Sequence, residues 1–153
     1  MIVDRGTLLF FDASCLIAAA GSPSGGSSLL LSLCARDQLT GAISQPVLLE
    51  AERNIAAKLG AKALDTYHRL IALTPLIVVA VPLGTERPGY RSVVGEKDEH
   101  VVAAAIEANA RYLITLDKRL AERVNLADLP LQALSPGDFI KTVLPNHVDF
   151  PRG

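Results

Sequence analysis

The sequence has few of the features that mark secreted or membrane-spanning proteins. Its two cysteines, Cys15 and Cys34, do not form a CxxC spacing and have no histidines at ligand intervals. We therefore predict two reduced thiols rather than a disulfide or a metal site. The longest apolar runs, such as residues 76–81, are too short to span a bilayer, and no basic segment precedes an apolar signal core. These absences predict a cytoplasmic protein that does not associate with membranes.

The chain also lacks an excess of positive charge. Fifteen Lys and Arg residues against sixteen Asp and Glu residues give a net charge of -1 with neutral histidines. A protein that coats nucleic acid through bulk electrostatics needs a strong positive excess, so that class is disfavoured. An enzyme that holds a few nucleotides locally remains compatible with this charge.

Tryptophan is absent and aromatic residues make up 5% of the chain, whereas half of the residues are apolar. The core must therefore consist of Leu, Val, Ile and Ala, which suits helices packed closely on a parallel sheet. A chain of 153 residues buries roughly 70% of its unfolded surface. We predict a single domain over residues 1–144, followed by a C-terminal tail over residues 145–153 that is frayed or bound by a partner.

Strand and helix patterns alternate along most of the chain. The strand patterns fall at residues 7–11, 41–44, 76–80, 112–116 and 131–134, and the helix patterns at 13–20, 27–38, 46–59, 61–73, 98–108, 118–124 and 136–144. Residues 82–97 show no clear element, which is typical of a binding loop or a disordered segment. The alternation predicts an α/β fold, a three-layer sandwich with a mostly parallel sheet and right-handed crossovers.

Four acidic residues occupy positions with a potential chemical role. Asp12 and Asp117 end two predicted strands, Asp98 begins the apolar stripe of a helix, and Glu50 borders the apolar side of another helix. The carboxyl ends of parallel strands meet at one edge of a sheet, so we expect these acids to converge there. Clustered carboxylates repel one another unless a cation compensates, and oxygen-only ligands suit Mg²⁺ or Mn²⁺. Such an ion can activate water for phosphodiester cleavage.

Each acid also has a simpler explanation when it is taken alone. Asp12, Asp98 and Asp117 all stand where a helix N-cap is expected, and Asp is among the favoured capping residues. Glu50 alone is explained as a solvated helix residue. The common edge on which all four fall favours the metal site over four unrelated roles.

Segments around these acids resemble the PIN-domain ribonucleases, and within that family the bacterial and archaeal VapC-type toxins. The matching segments are LFFDASCL at 9–16, SQPVLLE at 44–50, DEHVVAAA at 98–105, YLITLD at 112–117 and LSPGDFI at 134–140. The resemblance spans nearly the whole chain and implies a Rossmann-like α/β/α sandwich, in agreement with the alternation. It further implies a metal-dependent endoribonuclease that acts as the toxin of a toxin–antitoxin pair and is silenced by an antitoxin protein.

The resemblance also implies roles for individual residues. The acids that would bind Mg²⁺ or Mn²⁺ and carry catalysis are Asp12, Glu50, Asp98 and Asp117. The hydroxyls of Ser14 and Thr115 would orient a carboxylate or a metal-bound water; propensity explains them equally well as an ordinary first-turn Ser and strand Thr.

The sequence departs from the family after the fourth acid. Many relatives carry another acid two residues later, where this chain has Arg119. A second metal site is therefore expected to be weak or to be completed by substrate phosphate. Lys118 and Arg119 are candidates for phosphate contacts, and Arg87 and Arg91 for holding flanking nucleotides of an RNA substrate. Solvated surface positions explain these basic residues equally well.

Two other functions remain open. The basic residue at position 119 and the slightly negative charge are compatible with a catalytically silent PIN-like interaction module. In that case we expect no metal binding but a stable homodimer or heteromer through the helices at 27–38 and 46–59. A homodimer is also expected of the nuclease. A dinucleotide binder is disfavoured, because the first strand leads into Asp-Ala-Ser-Cys rather than a Gly-rich turn.

Overall fold

The structure, a computed structural model, describes residues 2–82 and 89–151. These residues form a five-stranded sheet in which every strand pair is parallel. The strands are β1 (Leu8–Phe11), β2 (Thr40–Ser44), β3 (Ile77–Val79), β4 (Tyr112–Ile114) and β5 (Gln132–Leu134). Helices flank the sheet, so the predicted three-layer α/β sandwich is confirmed, with a sheet that is parallel throughout rather than mostly.

The helices of the described chain connect the strands and close the fold. They are α1 (Ala13–Gly21), α2 (Gly26–Ala35), α3 (Gln45–Lys58), α4 (Ala61–Leu73), α5 (Tyr90–Val94), α6 (Glu99–Glu107), α7 (Lys118–Leu126) and α8 (Pro136–Asp138). A π-helical turn at Phe139–Val143 and a 3₁₀ turn at Leu144–Asn146 continue α8. No single helix among the described residues is long and apolar enough to cross a membrane; α1 and α2 together have the required length and composition but bend by 99°.

The strand order β3-β2-β1-β4-β5 places β1 in the middle of the sheet. The chain runs outward from β1 through β2 to β3 and then returns to the other side of β1 with β4. The direction of winding therefore changes between β1 and β4, and ligands of open α/β sheets bind outside the carboxyl ends of the strands at such a point. In register, Phe11 pairs with Ile114, so the residues that follow these two strands are neighbours.

The middle strands are buried on both faces. Leu9, Phe10 and Phe11 of β1 are fully buried, as are Leu113 and Ile114 of β4. Burial on both faces is expected of a parallel sheet covered by helices, which explains why these strands read as continuous apolar runs. The alanines of α6 carry small side chains, which allows that helix to pack closely.

Close packing also explains a glycine and both cysteines. A Cβ atom at Gly41 in β2 would lie 2.6 Å from Leu76 Cδ2 and 3.1 Å from Cys34 Sγ, so a larger residue there would require these side chains to shift. Cys15 and Cys34 are buried free thiols. Burial raises the pKa of each thiol to about 12, which keeps both protonated and unreactive at neutral pH.

One part of the chain differs from the sequence prediction. Residues 82–97 show no element in the sequence pattern, yet α5 lies within them, bracketed by Gly89 (φ 71°) and Gly95 (φ 89°). The C-terminal tail contacts the body at His147, which is buried, pairs with the backbone of Val3 and approaches the Gln38 carbonyl oxygen to 2.6 Å through Nε2. Residues 148–151 are exposed, so a frayed or partner-bound end stays a prediction.

The edge strand β5 is tied to α7 by Asn125. Its Nδ2 donates to the Ala133 carbonyl and its Oδ1 accepts from the Ala133 N–H, both at 2.8 Å. Asn125→Ala leaves both backbone groups without these partners, and we expect a loss of about 1–2 kcal/mol in the free energy of unfolding. Urea unfolding measures the loss. The control is Asn146→Ala, which removes a single exposed bond of 3.2 Å to Thr142; an equal loss in both variants would contradict the prediction.

Candidate functional site

Asp12 ends β1 and begins α1, and both of its carboxylate oxygens are held. Oδ1 accepts from the Ala13 N–H at 2.9 Å, as a helix N-cap. Oδ2 accepts from the hydroxyls of Ser14 at 3.0 Å and Thr115 at 2.8 Å. Only 8% of the residue is exposed. Helix capping therefore explains the position of Oδ1. Oδ2 instead connects Asp12 to Ser14 and, across the sheet, to Thr115 at the end of β4.

The same two hydroxyls fix the chain that follows β4. Ser14 Oγ accepts from the Leu116 N–H at 3.0 Å, and Thr115 Oγ1 accepts from the Asp117 N–H at 3.1 Å. Each hydroxyl thus donates to Asp12 and accepts from the backbone N–H of one of the two residues that precede α7. This network holds the Asp12 carboxylate and the peptide leading to Asp117 in one fixed arrangement.

Asp117 is the N-cap of α7. Its Oδ1 accepts from the N–H groups of Arg119 at 3.0 Å and Leu120 at 3.1 Å. Its Oδ2 accepts no hydrogen bond from residues 2–82 or 89–151, and the residue is exposed. One oxygen therefore orients the side chain, and the other is available to a ligand at the sheet edge.

Asp98 immediately precedes α6, but its side chain makes no capping hydrogen bond. Partial burial raises the pKa of the Asp98 carboxyl above its ordinary value. The negative charges of Asp12 and Asp117 raise it further, Lys97 opposes the change, and Glu50 adds a smaller increase. The structure therefore brings all four predicted acids into one electrostatic neighbourhood, where their charges repel.

The donor set fits a hydrated divalent cation better than a fully protein-ligated one. Within the described ranges, no three His, Cys, Asp or Glu side chains are arranged so that they could hold one ion together. Mg²⁺ usually keeps several of its waters and takes one or two carboxylates directly. The uncapped oxygen of Asp117 and the repelled carboxylate of Asp98 suit direct contacts, while Asp12, held by hydroxyls, suits contact through water.

Comparison with known proteins identifies the fold family. A family model described as PIN domain matches residues 9–119, from β1 into the first turn of α7, and includes all four acids. The chain belongs to the PIN-domain family. The resemblance found in the sequence motifs is therefore confirmed at the level of the family, while no curated protein sequence matches the chain.

Solved structures share the PIN fold at low sequence identity. VapBC2 from Rickettsia felis, solved bound to a DNA fragment from its promoter, has a TM-score of 0.64 and 17% identity, covering 84% of this chain and 98% of that one. VapBC-1 from nontypeable Haemophilus influenzae gives 0.59 and 12%, covering 85% and 98%. PAE2754 from Pyrobaculum aerophilum gives 0.54 and 20%, covering 78% and 80%. These likenesses establish the fold.

The basic residues of this PIN domain differ in their surroundings. Lys118 and Arg119 are exposed on the first turn of α7, next to the acids. Arg91 lies on α5, where its Nη2 is 3.1 Å from Oε1 of the buried Glu99, and this contact raises the pKa of Arg91. Arg87 lies outside the described residues. Lys118 and Arg119 are therefore exposed directly after Asp117, whereas Arg91 already has an acidic partner.

Glu99 is the feature that sequence reasoning overlooked. It is 8% exposed at the start of α6, beside Asp98. The available signal was its spacing: Val102 and Ala103, three and four residues later, are buried on the same side of the helix. An acid on that face needs a cationic partner, and α5 supplies one through Arg91.

Proposed function

We propose that this PIN domain is a metal-dependent endoribonuclease that hydrolyses RNA phosphodiester bonds with metal-activated water. The observation that carries the proposal is the geometry at the sheet edge: Asp12 ends β1 beside β4, and the Ser14 and Thr115 hydroxyls join its carboxylate to the chain that leads into Asp117. The raised pKa of the Asp98 carboxyl agrees with further acids nearby. Four acids gathered at the switch point of a parallel sheet are costly in the absence of a cation. A divalent cation would neutralise the repulsion between the carboxylates. Metal binding therefore explains why four acids lie together, whereas helix capping explains only the position of each acid alone.

In this proposal Asp12, Glu50, Asp98 and Asp117 hold Mg²⁺ or Mn²⁺. The bound ion would supply a water of lowered pKa and stabilise charge on the reacting phosphate. The remaining work belongs to the chain itself. The hydroxyls of Ser14 and Thr115 hold Oδ2 of Asp12 by hydrogen bonds. Backbone N–H groups in the first turn of α7 hold Oδ1 of Asp117 in the same way.

The substrate would bind through the basic residues around the acids. Lys118 and Arg119, on the exposed first turn of α7, would contact RNA phosphates, and Arg87 and Arg91 would hold flanking nucleotides. Arg91 has to exchange or share its contact with Glu99 to do so. A few local cations of this kind are sufficient for short RNA segments despite the net charge of -1.

We further propose that the nuclease is the toxin of a toxin–antitoxin pair in the cytoplasm and is a homodimer. The fold likeness to the two VapBC structures supports an antitoxin partner. Exposed leucines on α2, on α3 and directly after α3 support a protein contact there: Leu29, Leu49 and Leu59 are 39%, 46% and 45% exposed. Growth arrest on expression, relieved by co-expression of the antitoxin, is the expected physiological result.

A catalytically silent interaction module is the second candidate. Arg119 in place of a further acid and the lack of a ready three-ligand arrangement in the described chain favour it. This candidate keeps the fold and the partner surface but predicts that the acids bind no metal. The two functions are therefore separated by one binding measurement.

That measurement is a calorimetric titration of Mn²⁺ into the metal-free protein. We expect wild type to bind Mn²⁺ and Asp12→Asn to bind it about 10- to 100-fold more weakly, because the substituted side chain anchors the network. Asp128→Asn is the matched control, since this exposed acid follows α7 at the opposite edge of the sheet. Absence of binding in every protein, with and without a short RNA, would support the silent module.

A further inference from the structure

Two clefts are lined by the residue that precedes Asp117 and share it as a wall. The first, of about 290 Å³, lies between α7, β5 and α8, and its lining includes Thr115, Lys118, Ser135 and Asp138. The second, of about 200 Å³, lies between α1, α2 and α8, and its lining includes Ser22, Ser27 and Pro136. Leu116 lines both clefts.

The backbone of Leu116 is held between two residues of the candidate site, Thr115 and Asp117. Its N–H donates to Ser14 Oγ at 3.0 Å, and its neighbours Thr115 and Asp117 belong to the same hydrogen-bond network. Its side chain is nevertheless 47% exposed. A single exposed leucine on a surface usually needs no explanation. This one differs because its backbone is fixed at the sheet edge and its side chain separates two clefts.

We propose that the two clefts receive the bases of two successive nucleotides of the RNA substrate and that Leu116 inserts between them. The inference rests on the proposed nuclease function and identifies a residue that determines specificity. Apolar side chains that insert between neighbouring bases are a known means of unstacking nucleic acid. Single-stranded RNA presents bases that can be separated and read in this way.

The lining of the first cleft favours a base over a phosphate. The Asp138 carboxylate would repel a phosphate, but it can accept a hydrogen bond from the amino group of cytosine, adenine or guanine. Ser135 Oγ accepts from the Asp138 N–H at 3.0 Å, and its O–H has no acceptor among residues 2–82 and 89–151, so it can donate to a ring nitrogen or carbonyl. Lys118, on the same cleft, is placed to contact the phosphate of the bound nucleotide.

The volumes of the two clefts and the residues that line the second cleft agree with the binding of one base in each cleft. Pockets that enclose drug-sized ligands measure about 300–1,000 Å³, so clefts of about 290 and 200 Å³ suit one ring system each. The glycine, serine and proline walls of the second cleft carry no charge and offer no strong preference among bases. Selectivity is therefore expected at the first cleft, for bases that carry an amino group over uracil.

The test compares Leu116→Ala with Leu73→Ala, an exposed leucine (77%) at the end of α4 that lines neither cleft. Each protein cleaves a pool of short RNAs with randomised bases, and the cut ends are sequenced. We expect wild type and Leu73→Ala to share a preference at one position beside the cut, for bases that carry an amino group over uracil. Leu116→Ala should lose it, with KM raised about fivefold and kcat within about twofold.

A binding experiment separates this inference from the nuclease function. The methyl groups of Leu116 are followed by NMR in Asp98→Asn as CCC or UUU trinucleotides are added without metal. We expect larger shifts and tighter binding with CCC, and Asp138→Asn should remove that difference. Methyl shifts without cleavage of any RNA would support the clefts and contradict the nuclease. Cleavage with the same sequence profile in wild type and Leu116→Ala, or no methyl shifts with either trinucleotide, would overturn the inference.

Discussion

Replacing Asp98 with asparagine is expected to reduce RNA cleavage by about a thousandfold or more and to leave the metal-free fold at least as stable as wild type. The loss of activity follows because the substitution removes a carboxylate that would hold the ion, and such ions contribute several kcal/mol to the transition state. The gain in stability follows because the Asp98 charge is partly buried and repelled by Asp12, Asp117 and Glu50. Cleavage of a labelled RNA pool and thermal unfolding in EDTA measure the two effects.

The pH dependence of the metal-free protein should have the same origin. The pKa of Asp98 is raised above its ordinary value of 3.8 in the folded chain, so the folded chain binds this proton more readily than the unfolded chain does. Ionised Asp98 therefore costs stability above its folded pKa. That cost declines as the pH falls below the folded pKa and is gone below the ordinary value of 3.8. The Tm advantage of Asp98→Asn over wild type should be largest at neutral pH and shrink on acidification.

Metal addition should reverse the ranking of the two proteins. Mg²⁺ or Mn²⁺ should raise the Tm of wild type by an amount that grows with the ratio of the metal concentration to its Kd. The Tm of Asp98→Asn should rise little, because this variant binds the metal weakly. The control, Asp128→Asn, should follow wild type in cleavage and in its response to metal. Full cleavage by Asp98→Asn would exclude the proposed role of this acid. A marked loss of its metal-free stability would instead show that Asp98 is chiefly structural.

Much of the fold was predictable because the strand patterns are physically unambiguous. Residues 112–114 are apolar on both faces, which is expected of a strand covered by helices on each side, and Leu113 and Ile114 are fully buried in β4. Helix α5 could not be predicted in this way. Its five residues are too few for a periodic pattern, and its boundaries depend on left-handed conformations at Gly89 and Gly95.

The candidate site was predictable only as far as strand ends define it. Asp12 and Asp117 were assigned to the sheet edge because each follows a buried strand. Their contacts through Ser14 and Thr115 depend on β1 lying beside β4, and alternation of strands and helices does not determine strand order. Capping and ligand binding also turned out not to compete. One oxygen of Asp12 and one of Asp117 cap a helix, so each carboxylate is oriented by the cap.

The Thr115 hydroxyl provides the sharpest test of that arrangement. It is 1% exposed, donates to Asp12 Oδ2 at 2.8 Å and accepts from the Asp117 N–H at 3.1 Å. Thr115→Val keeps the shape of the side chain but removes both bonds at once. We expect a loss of about 1–3 kcal/mol in the free energy of unfolding and a fall of about 10- to 100-fold in RNA cleavage and metal affinity.

This pattern differs from that of Asp98→Asn, because stability and activity should fall together rather than in opposite directions. Thr115→Ser restores the hydroxyl and should recover most of the metal affinity, although it removes a buried methyl group. If Thr115→Val and Thr115→Ser bind Mn²⁺ with the same affinity, the hydroxyl does not position the acids. In that case Asp12 must be held well enough by its own helix cap and by Ser14.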